Sequence, residues 1–230
     1  MATVGRADRG TLCSVGGPPV KQVLLIGDSI RQGYQPFAMQ ELIGVAAVLG
    51  PADNGGDSAN VLKHLDEWVI PAPPNLVHVN AGLHDIKRAY NSDERQVPID
   101  RYRENVHTIL TRILNETSAK VVWATMTPVN QKWHHEVKGF DRFEADVLAY
   151  NGAATEVARK LGVPVDDLFR IVTDAGRDAL LTGDGVHLTE EGYRVLGKGV
   201  AACIRAALPI AVQRRPTGVA RRSSGHDARS

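Results

Sequence analysis

The chain has 230 residues, of which 43% are hydrophobic and 23% are charged, so it can bury one sizeable core. Its 27 Lys and Arg residues almost balance its 26 Asp and Glu residues, which excludes the strong basic field typical of nucleic-acid binding. No apolar stretch approaches the roughly 20 residues that cross a bilayer. We therefore expect a globular domain with no nucleic-acid or membrane partner.

The two ends of the chain differ in composition from the rest. Residues 1–19 are rich in Gly, Arg, Ser and Thr and lack the apolar run of a signal peptide. Residues 213–230 contain five arginines and few apolar side chains. We predict a flexible N-terminal tail, a folded domain over residues 20–212 and a flexible basic C-terminal tail. We also expect a cytoplasmic protein in which Cys13 and Cys203 are free thiols.

Between the tails, short apolar runs alternate with longer amphipathic stretches, which predicts alternating strands and helices. The pattern predicts strands over 23–26, 45–49, 76–79, 120–125 and 163–165. It predicts helices over 35–42, from Asp57 to before Pro71, through Tyr102, Val106, Ile109, Leu110 and Ile113, over 141–161 and over about 189–208. Such alternation implies parallel strands joined by right-handed crossovers. The predicted fold is an α/β protein, a three-layer α/β/α sandwich around a five-stranded parallel sheet.

Polar segments follow most of the predicted strands. Because the carboxyl ends of parallel strands lie at one edge of the sheet, we expect these segments to converge in space. They are residues 27–29, 54–57, 80–85 and 125–128, together with 184–187 just before the last helix. The candidate site is therefore this edge.

Ser29 follows the first strand in the sequence Gly27-Asp28-Ser29, where its hydroxyl would be presented at the edge of the sheet. Taken alone, this stretch fits a helix cap as well as a nucleophile. Asp184 and His187 lie three residues apart, and a carboxylate at that spacing can accept the Nδ1–H of the imidazole. Nε2 is then free to take a proton from a serine hydroxyl. The serine and the Asp-x-x-His pair together predict a catalytic triad.

These motifs resemble those of the SGNH or GDSL hydrolases, which are serine esterases and lipases of flavodoxin-like architecture. Gly27-Asp28-Ser29 resembles the nucleophile motif of the family, and Asp184-Gly-Val-His187 resembles its aspartate and histidine. The resemblance implies that Ser29, Asp184 and His187 are catalytic in a two-step acyl transfer. It implies no metal and no organic cofactor.

The resemblance also implies an oxyanion hole. The backbone N–H groups of Ser29 and Gly56 would serve as donors, with Gly55 as an alternative to Gly56. The sequence Gly-Leu-His-Asp at 82–85 stands in place of the family's Gly-x-Asn-Asp. His84 therefore takes the position of the family's asparagine, and we expect it to be the side-chain donor.

The substrate is predicted from two long loops after strands, 86–97 and 129–140, which should form the pocket walls and are polar with scattered aromatic residues. A long acyl chain requires a continuous apolar groove, whereas a sugar suits hydrogen bonds and one aromatic platform. We expect a small-molecule or saccharide ester with a short acyl group, such as acetyl. The candidate substrate-binding residues are Arg31, Tyr34 and Trp133, although Trp133 could equally pack on the domain.

Three alternatives stay open at this point. One is a lipolytic or lysophospholipase-type esterase on the same fold. Another is a metal-dependent phosphohydrolase, because the chain offers ligand types at His84, Asp85, Asp184, His187, His134 and His135, although their spacing matches no compact metal motif. The third is a non-catalytic domain that binds an anion at its helix N-termini.

Overall fold

A computed structural model of the protein describes residues 20–208. Within this range one sheet of five parallel strands has the spatial order β2-β1-β3-β4-β5. The strands are β1 (Lys21–Ile26), β2 (Ala46–Leu49), β3 (Leu76–Val79), β4 (Lys120–Ala124) and β5 (Val165–Asp166). This order is flavodoxin-like, and it confirms the predicted α/β architecture. The predicted tails 1–19 and 213–230, with Cys13, lie outside the described residues.

Helices cover both faces of the sheet. They are α1 (Ser29–Glu41), α2 (Ser58–Lys63), α3 (Leu65–Trp68), α4 (Ile99–Glu116), α5 (Gln131–Val137), α6 (Glu144–Lys160), α7 (Leu168–Asp174), α8 (Arg177–Leu180) and α9 (Glu190–Ala207). Helix α1 packs against α9, and α4 packs against both α2 and α6. Right-handed crossovers place α1 and α9 on one face of the sheet and α2, α4 and α6 on the opposite face. The result is the expected three-layer sandwich.

The core lies on both sides of the central strands. All four residues of β3 are buried, and the apolar residues of β1 are buried from Val23 to Ile26. A run without polar alternation is what a strand covered on both faces requires. The apolar face predicted for α4 is also fully buried. None of the helices between residues 20 and 208 combines the length and apolarity needed to cross a bilayer.

The structure differs from the prediction at the start of α1. The helix begins at Ser29 rather than at residue 35, because the Asp28 side chain accepts a hydrogen bond from Ile30 N at 2.9 Å. Pro36 lies inside this helix and does not end it. The nucleophile candidate therefore occupies the first helical position directly after β1.

Other helix and strand boundaries also differ from the prediction. The helix predicted from Asp57 is split at His64 into α2 and α3. Helix α6 begins at Glu144, and β5 lies at Val165–Asp166 rather than at 163–165. Residues 129–140, predicted as a loop, contain α5, and the short helices α7 and α8 were not predicted.

Candidate active site

The site begins at the turn between β1 and α1. Asp28 is buried and caps α1, so the next residue, Ser29, is held at the carboxyl end of β1. A side chain at Gly27 would place its Cβ 2.7 Å from Arg31 Cβ, so glycine permits this tight turn. The turn therefore fixes the backbone of Ser29 at the edge of the sheet.

The structure brings together three of the predicted residues from opposite ends of the domain. Ser29 Oγ lies 2.9 Å from His187 Nε2, and His187 Nδ1 lies 2.6 Å from Asp184 Oδ2. Because a carboxylate oxygen can only accept, the proton of the neutral imidazole belongs on Nδ1. Nε2 is then the acceptor that faces the serine hydroxyl.

The carboxylate of Asp184 is strongly hydrogen bonded. Its Oδ1 accepts from the backbone N–H groups of Val186 and His187 and from the hydroxyl of Thr182. Although burial opposes ionisation, the bonds from His187, Val186 and Thr182 hold the pKa of Asp184 well below its usual range. Helix α9 is capped by Thr189, so Asp184 is not its cap.

Helix α5 fixes the turn that carries this pair. Asn130 N donates to Gly185 O at 2.7 Å, and His134 Nδ1 lies 3.1 Å from Asp184 O. Gly185 has a positive φ of 70°, and a Cβ there would collide with the backbone of Asn130. The segment predicted as a loop is therefore the support of the histidine turn.

The two glycines proposed for the oxyanion hole have different partners. Gly55 N donates to Gly27 O at 3.0 Å, which ties the two backbones together. Gly56 N donates to the side chain of Asn54 at 2.9 Å. Rotation of the exposed Asn54 side chain frees the Gly56 N–H, whereas the Gly55 N–H requires backbone movement. This difference favours Gly56 as the donor.

His84 lies in the same cleft as Ser29 and His187. Burial, followed by the nearby cations Arg142 and Lys87, lowers its pKa, so the imidazole is neutral at neutral pH and carries a single N–H. Neither ring nitrogen is hydrogen bonded to another residue of the range 20–208. The residues of this range therefore do not select the tautomer of His84.

Asp85, the neighbour of His84, is fully buried and accepts hydrogen bonds from the backbone N–H and the hydroxyl of Ser58. Burial raises its pKa to about 7. Its contacts connect the loop after β3 to the start of α2, so it supports the site from behind.

Arg31 and Tyr34, predicted to bind substrate, are directed elsewhere. The Arg31 guanidinium donates to the backbone carbonyls of Pro51 and Asp53, both at 2.9 Å, and so supports the loop after β2. Tyr34 is 1% exposed, and its hydroxyl lies 3.4 Å from Nδ1 of the buried His78. The structure corrects both expectations, since neither side chain reaches the cleft.

Trp133, the third predicted contact, is half-buried on α5 and packs against the core. Its Cβ lies against Gly185, in the turn before His187. It is not among the side chains that line the cleft, so the alternative of packing on the domain is the one observed.

The cleft at Ser29 and His187 has a volume of about 210 Å³. Four residues of its wall, Leu83, Lys87, Lys138 and Phe140, lie in segments that the sequence placed at the site. The fifth, Arg142, lies outside those segments and was not predicted. The segment after β3 and the segment after β4 meet through an antiparallel bridge between Arg88 and Asp141. No local sequence pattern predicts this pairing, because it joins residues far apart in the chain.

A metal centre would need several ligating side chains in one place. Between residues 20 and 208 no group of three or more His, Cys, Asp or Glu side chains is placed to hold a metal ion. The possible ligands His84, His134 and His135 are therefore not assembled into a common site.

The fold and the site can be compared with known proteins. The model of the GDSL-like lipase/acylhydrolase family matches residues 25–195, which is most of the chain. The chain belongs to the GDSL-like lipase/acylhydrolase family. As a member it is an SGNH-type hydrolase with esterase or acylhydrolase activity.

Several solved structures share the fold of this GDSL-like hydrolase. A lipase/acylhydrolase from Enterococcus faecalis is 24% identical with a TM-score of 0.69, covering 81% of this chain and 96% of that one. A GDSL-like lipase from Bacteroides thetaiotaomicron is 22% identical with a TM-score of 0.65, covering 85% and 94%. An acetylxylan esterase from Geobacillus stearothermophilus is 17% identical with a TM-score of 0.64, covering 79% and 93%. No curated protein sequence matches the chain significantly.

Proposed function

We propose that the protein is a serine esterase that hydrolyses short-chain acyl esters, in particular acetyl esters of carbohydrates. The observation that carries the proposal is the hydrogen-bonded series from Ser29 through His187 to Asp184, which opens on a cleft. A hydroxyl whose base is oriented by a carboxylate is a competent nucleophile. No step of the mechanism requires a metal or an organic cofactor.

In the first half of the reaction, Ser29 Oγ attacks the carbonyl carbon of the ester and His187 Nε2 accepts its proton. The carboxylate of Asp184 stabilises the imidazolium that forms. The imidazolium then donates its proton to the leaving alcohol, and the acyl group remains on Ser29. In the second half, His187 removes a proton from the water that attacks the acyl-enzyme, and the imidazolium then returns that proton to Ser29 Oγ as the bond to the acyl group breaks and the acid is released.

The negative charge on the carbonyl oxygen needs donors that are already in place. The N–H of Ser29 lies in the first turn of α1, where backbone donors have no partner within the helix. Gly56 contributes a second N–H once Asn54 gives up its hydrogen bond. His84 contributes a third donor from its single N–H.

The size and polarity of the cleft support a short acyl group. Its volume is about 210 Å³, and charged side chains such as Lys87 and Arg142 stand in its wall. A long acyl chain would instead require a continuous apolar groove. The acetylxylan esterases of the same fold act on acetylated carbohydrates, as their names state, and this supports a carbohydrate ester.

The proposal is tested by the hydrolysis of 4-nitrophenyl esters of increasing acyl length, with and without a metal chelator. We expect the highest kcat/KM on the acetyl ester, a decrease with chain length, and no effect of the chelator. The Ser29→Ala variant is the control for hydrolysis by other groups. Activity that disappears with the chelator and returns with a metal ion contradicts the serine mechanism. A preference for long chains contradicts the proposed substrate class.

A further inference from the structure

The cleft beside Ser29 contains three cationic side chains, Lys87, Lys138 and Arg142. Two of them contact the same aromatic ring: Lys87 Nζ lies 4.5 Å from the centroid of Phe140, and Arg142 Cζ lies 4.9 Å from it. Cations are attracted to the face of an aromatic ring. Phe140 therefore holds two positive charges close together at the cleft.

Arg142 is the deepest of these cations. The residue is 6% exposed, and its Nε donates to the backbone carbonyl of Leu83. Burial lowers its pKa to about 10, so it remains charged at neutral pH. Its two terminal nitrogens form no hydrogen bond or ion pair with any residue from 20 to 208. These nitrogens therefore remain available to a ligand at the cleft.

Neighbouring arginines show that the protein can pair such groups. Arg88 and Arg95, from the same loop as Lys87, both donate to the buried carboxylate of Asp146, at 2.5 Å and 2.7 Å. Lys87 and Arg142 have no equivalent partner within the described range. The arginines outside the cleft thus form ion pairs, whereas the two cations at Phe140 form none with residues 20–208.

Of the three cations at the cleft, only Lys138 forms an ion pair with an acidic residue of the range 20–208. Lys138 Nζ lies 3.3 Å from Asp184 Oδ2, so the charge of Lys138 is paired with the carboxylate that contacts His187. Asp28 acts on Arg142 through space but makes no ion pair with it. Asp57 acts on Lys87 through space in the same way, again without an ion pair between the two. Lys87 and Arg142 are therefore the two cations of the cleft that a ligand can pair with.

We propose that the substrate ester carries an anionic group, such as a carboxylate, which binds between Lys87 and Arg142. This inference rests on the proposed esterase function and specifies the substrate of the same site. The planar guanidinium of Arg142 can bind two oxygens of such a group at once, and the ammonium of Lys87 contributes a second charge. The anion lies either on the acyl part or on the alcohol part of the ester.

The test uses two matched pairs of esters. For the acyl side, 4-nitrophenyl hydrogen succinate is compared with 4-nitrophenyl butyrate. For the alcohol side, 4-acetoxybenzoate is compared with its methyl ester. In the Lys87→Met variant we expect the ratio of kcat/KM for the anionic ester over the neutral ester to fall about tenfold or more in one pair, mainly through KM. The pair that responds identifies the side that carries the charge.

Lys198→Met is the matched control, because it removes the same charge from an exposed position on α9 outside the cleft. Its ratios should equal those of the unmodified protein. Arg142→Lys keeps the charge but loses the planar fork, and we expect a smaller decrease in the same pair. Raising the salt from about 0.02 M to about 0.5 M should weaken the preference for the anionic ester.

Ratios that stay within about twofold in both pairs after Lys87→Met overturn the anionic substrate, since a charge-assisted contact is worth more than that. Hydrolysis of the neutral esters, lost in Ser29→Ala, would then leave the proposed esterase function intact. No hydrolysis of any of the four esters contradicts the proposed function itself.

Discussion

The described part of the chain, residues 20–208, contains two sets of hydroxyl, imidazole and carboxylate groups with similar contacts. In one, His187 lies 2.9 Å from Ser29 Oγ and 2.6 Å from Asp184 Oδ2. In the other, His78 lies 3.4 Å from the hydroxyl of Tyr34 and 2.9 Å from Asp166 Oδ2. Only the first set can meet a substrate, so the groups alone do not make a catalytic site.

The second set is enclosed by the fold. His78 on β3 is 0% exposed and Tyr34 on α1 is 1% exposed, whereas the side chain of His187 is 37% exposed at the cleft. Burial raises the pKa of Tyr34, so its phenol keeps its proton. The Tyr34–His78–Asp166 set satisfies polar groups in the core, and access from solvent separates it from the set at the edge of the sheet.

Removing the groups of the exposed set should have the largest effect on activity. Ser29→Ala and His187→Ala should each lower kcat by several orders of magnitude, with little further loss in the double variant, because the groups act as a unit. Steady-state kinetics on the acetyl ester measures this, and thermal unfolding should change little. Losses that add in the double variant would show that the two residues act separately.

Asp184→Asn should leave the fold intact and hold His187 in the wrong tautomer, at a cost of up to about 10⁴ in kcat if it behaves as in serine proteases. The amide can donate to Nδ1, which moves the imidazole proton to Nε2. The kinetics are compared with those of Asp178→Asn, an exposed aspartate near the same turn. A loss below about tenfold would mean that Asp184 only supports the turn.

His84 is intermediate between the two sets, since it lies at the cleft but is hydrogen bonded to no carboxylate of residues 20–208. If it donates to the oxyanion, His84→Ala should lower kcat by about 10²-fold to 10³-fold, and His84→Asn should keep much of the activity. KM should change less, because the bond strengthens mainly in the transition state. A loss of thermal stability with unchanged kcat would assign His84 to packing.

The buried set should respond in the opposite way. His78→Phe should lower the free energy of unfolding by about 3 kcal/mol, because it removes the imidazole that pairs with the buried carboxylate of Asp166. The kcat of the folded fraction should stay close to that of the unmodified protein. Chemical denaturation and active-site titration on the same samples measure the two quantities. A large decrease in kcat at unchanged stability would contradict the assignment of the buried set to stability and of the exposed set to activity.

The sequence was sufficient to predict the sheet and the approach of Ser29 to His187. The strands are short apolar runs, and the rule that parallel strands share one carboxyl edge places the segments after them together. Both motifs are also local, so their spacing can be read without knowledge of long-range contacts. Asp28 proved to be the cap of α1 and to hold the nucleophile turn at the same time.

The predictions that the structure corrected failed for physical reasons. Arg31 and Tyr34 follow Ser29 on a helix with 3.6 residues per turn, so their side chains rotate away from the cleft. Helix α5 is only seven residues long and depends on its Asn130 cap and on contacts with the histidine turn. Arg142 reaches the cleft because its segment pairs with the loop after β3. Contacts between distant segments decide these features.

The proposed mechanism depends on Ser29 as the nucleophile and on His187 as the base that activates it. Reaction with a fluorophosphonate, followed by peptide mass spectrometry, tests it most directly, because only an activated serine forms the adduct rapidly. We predict a single adduct on the peptide that contains Ser29, its absence in Ser29→Ala and much slower formation in His187→Ala. An active enzyme that forms no adduct, or forms it at another residue, would contradict the role of Ser29 as the nucleophile.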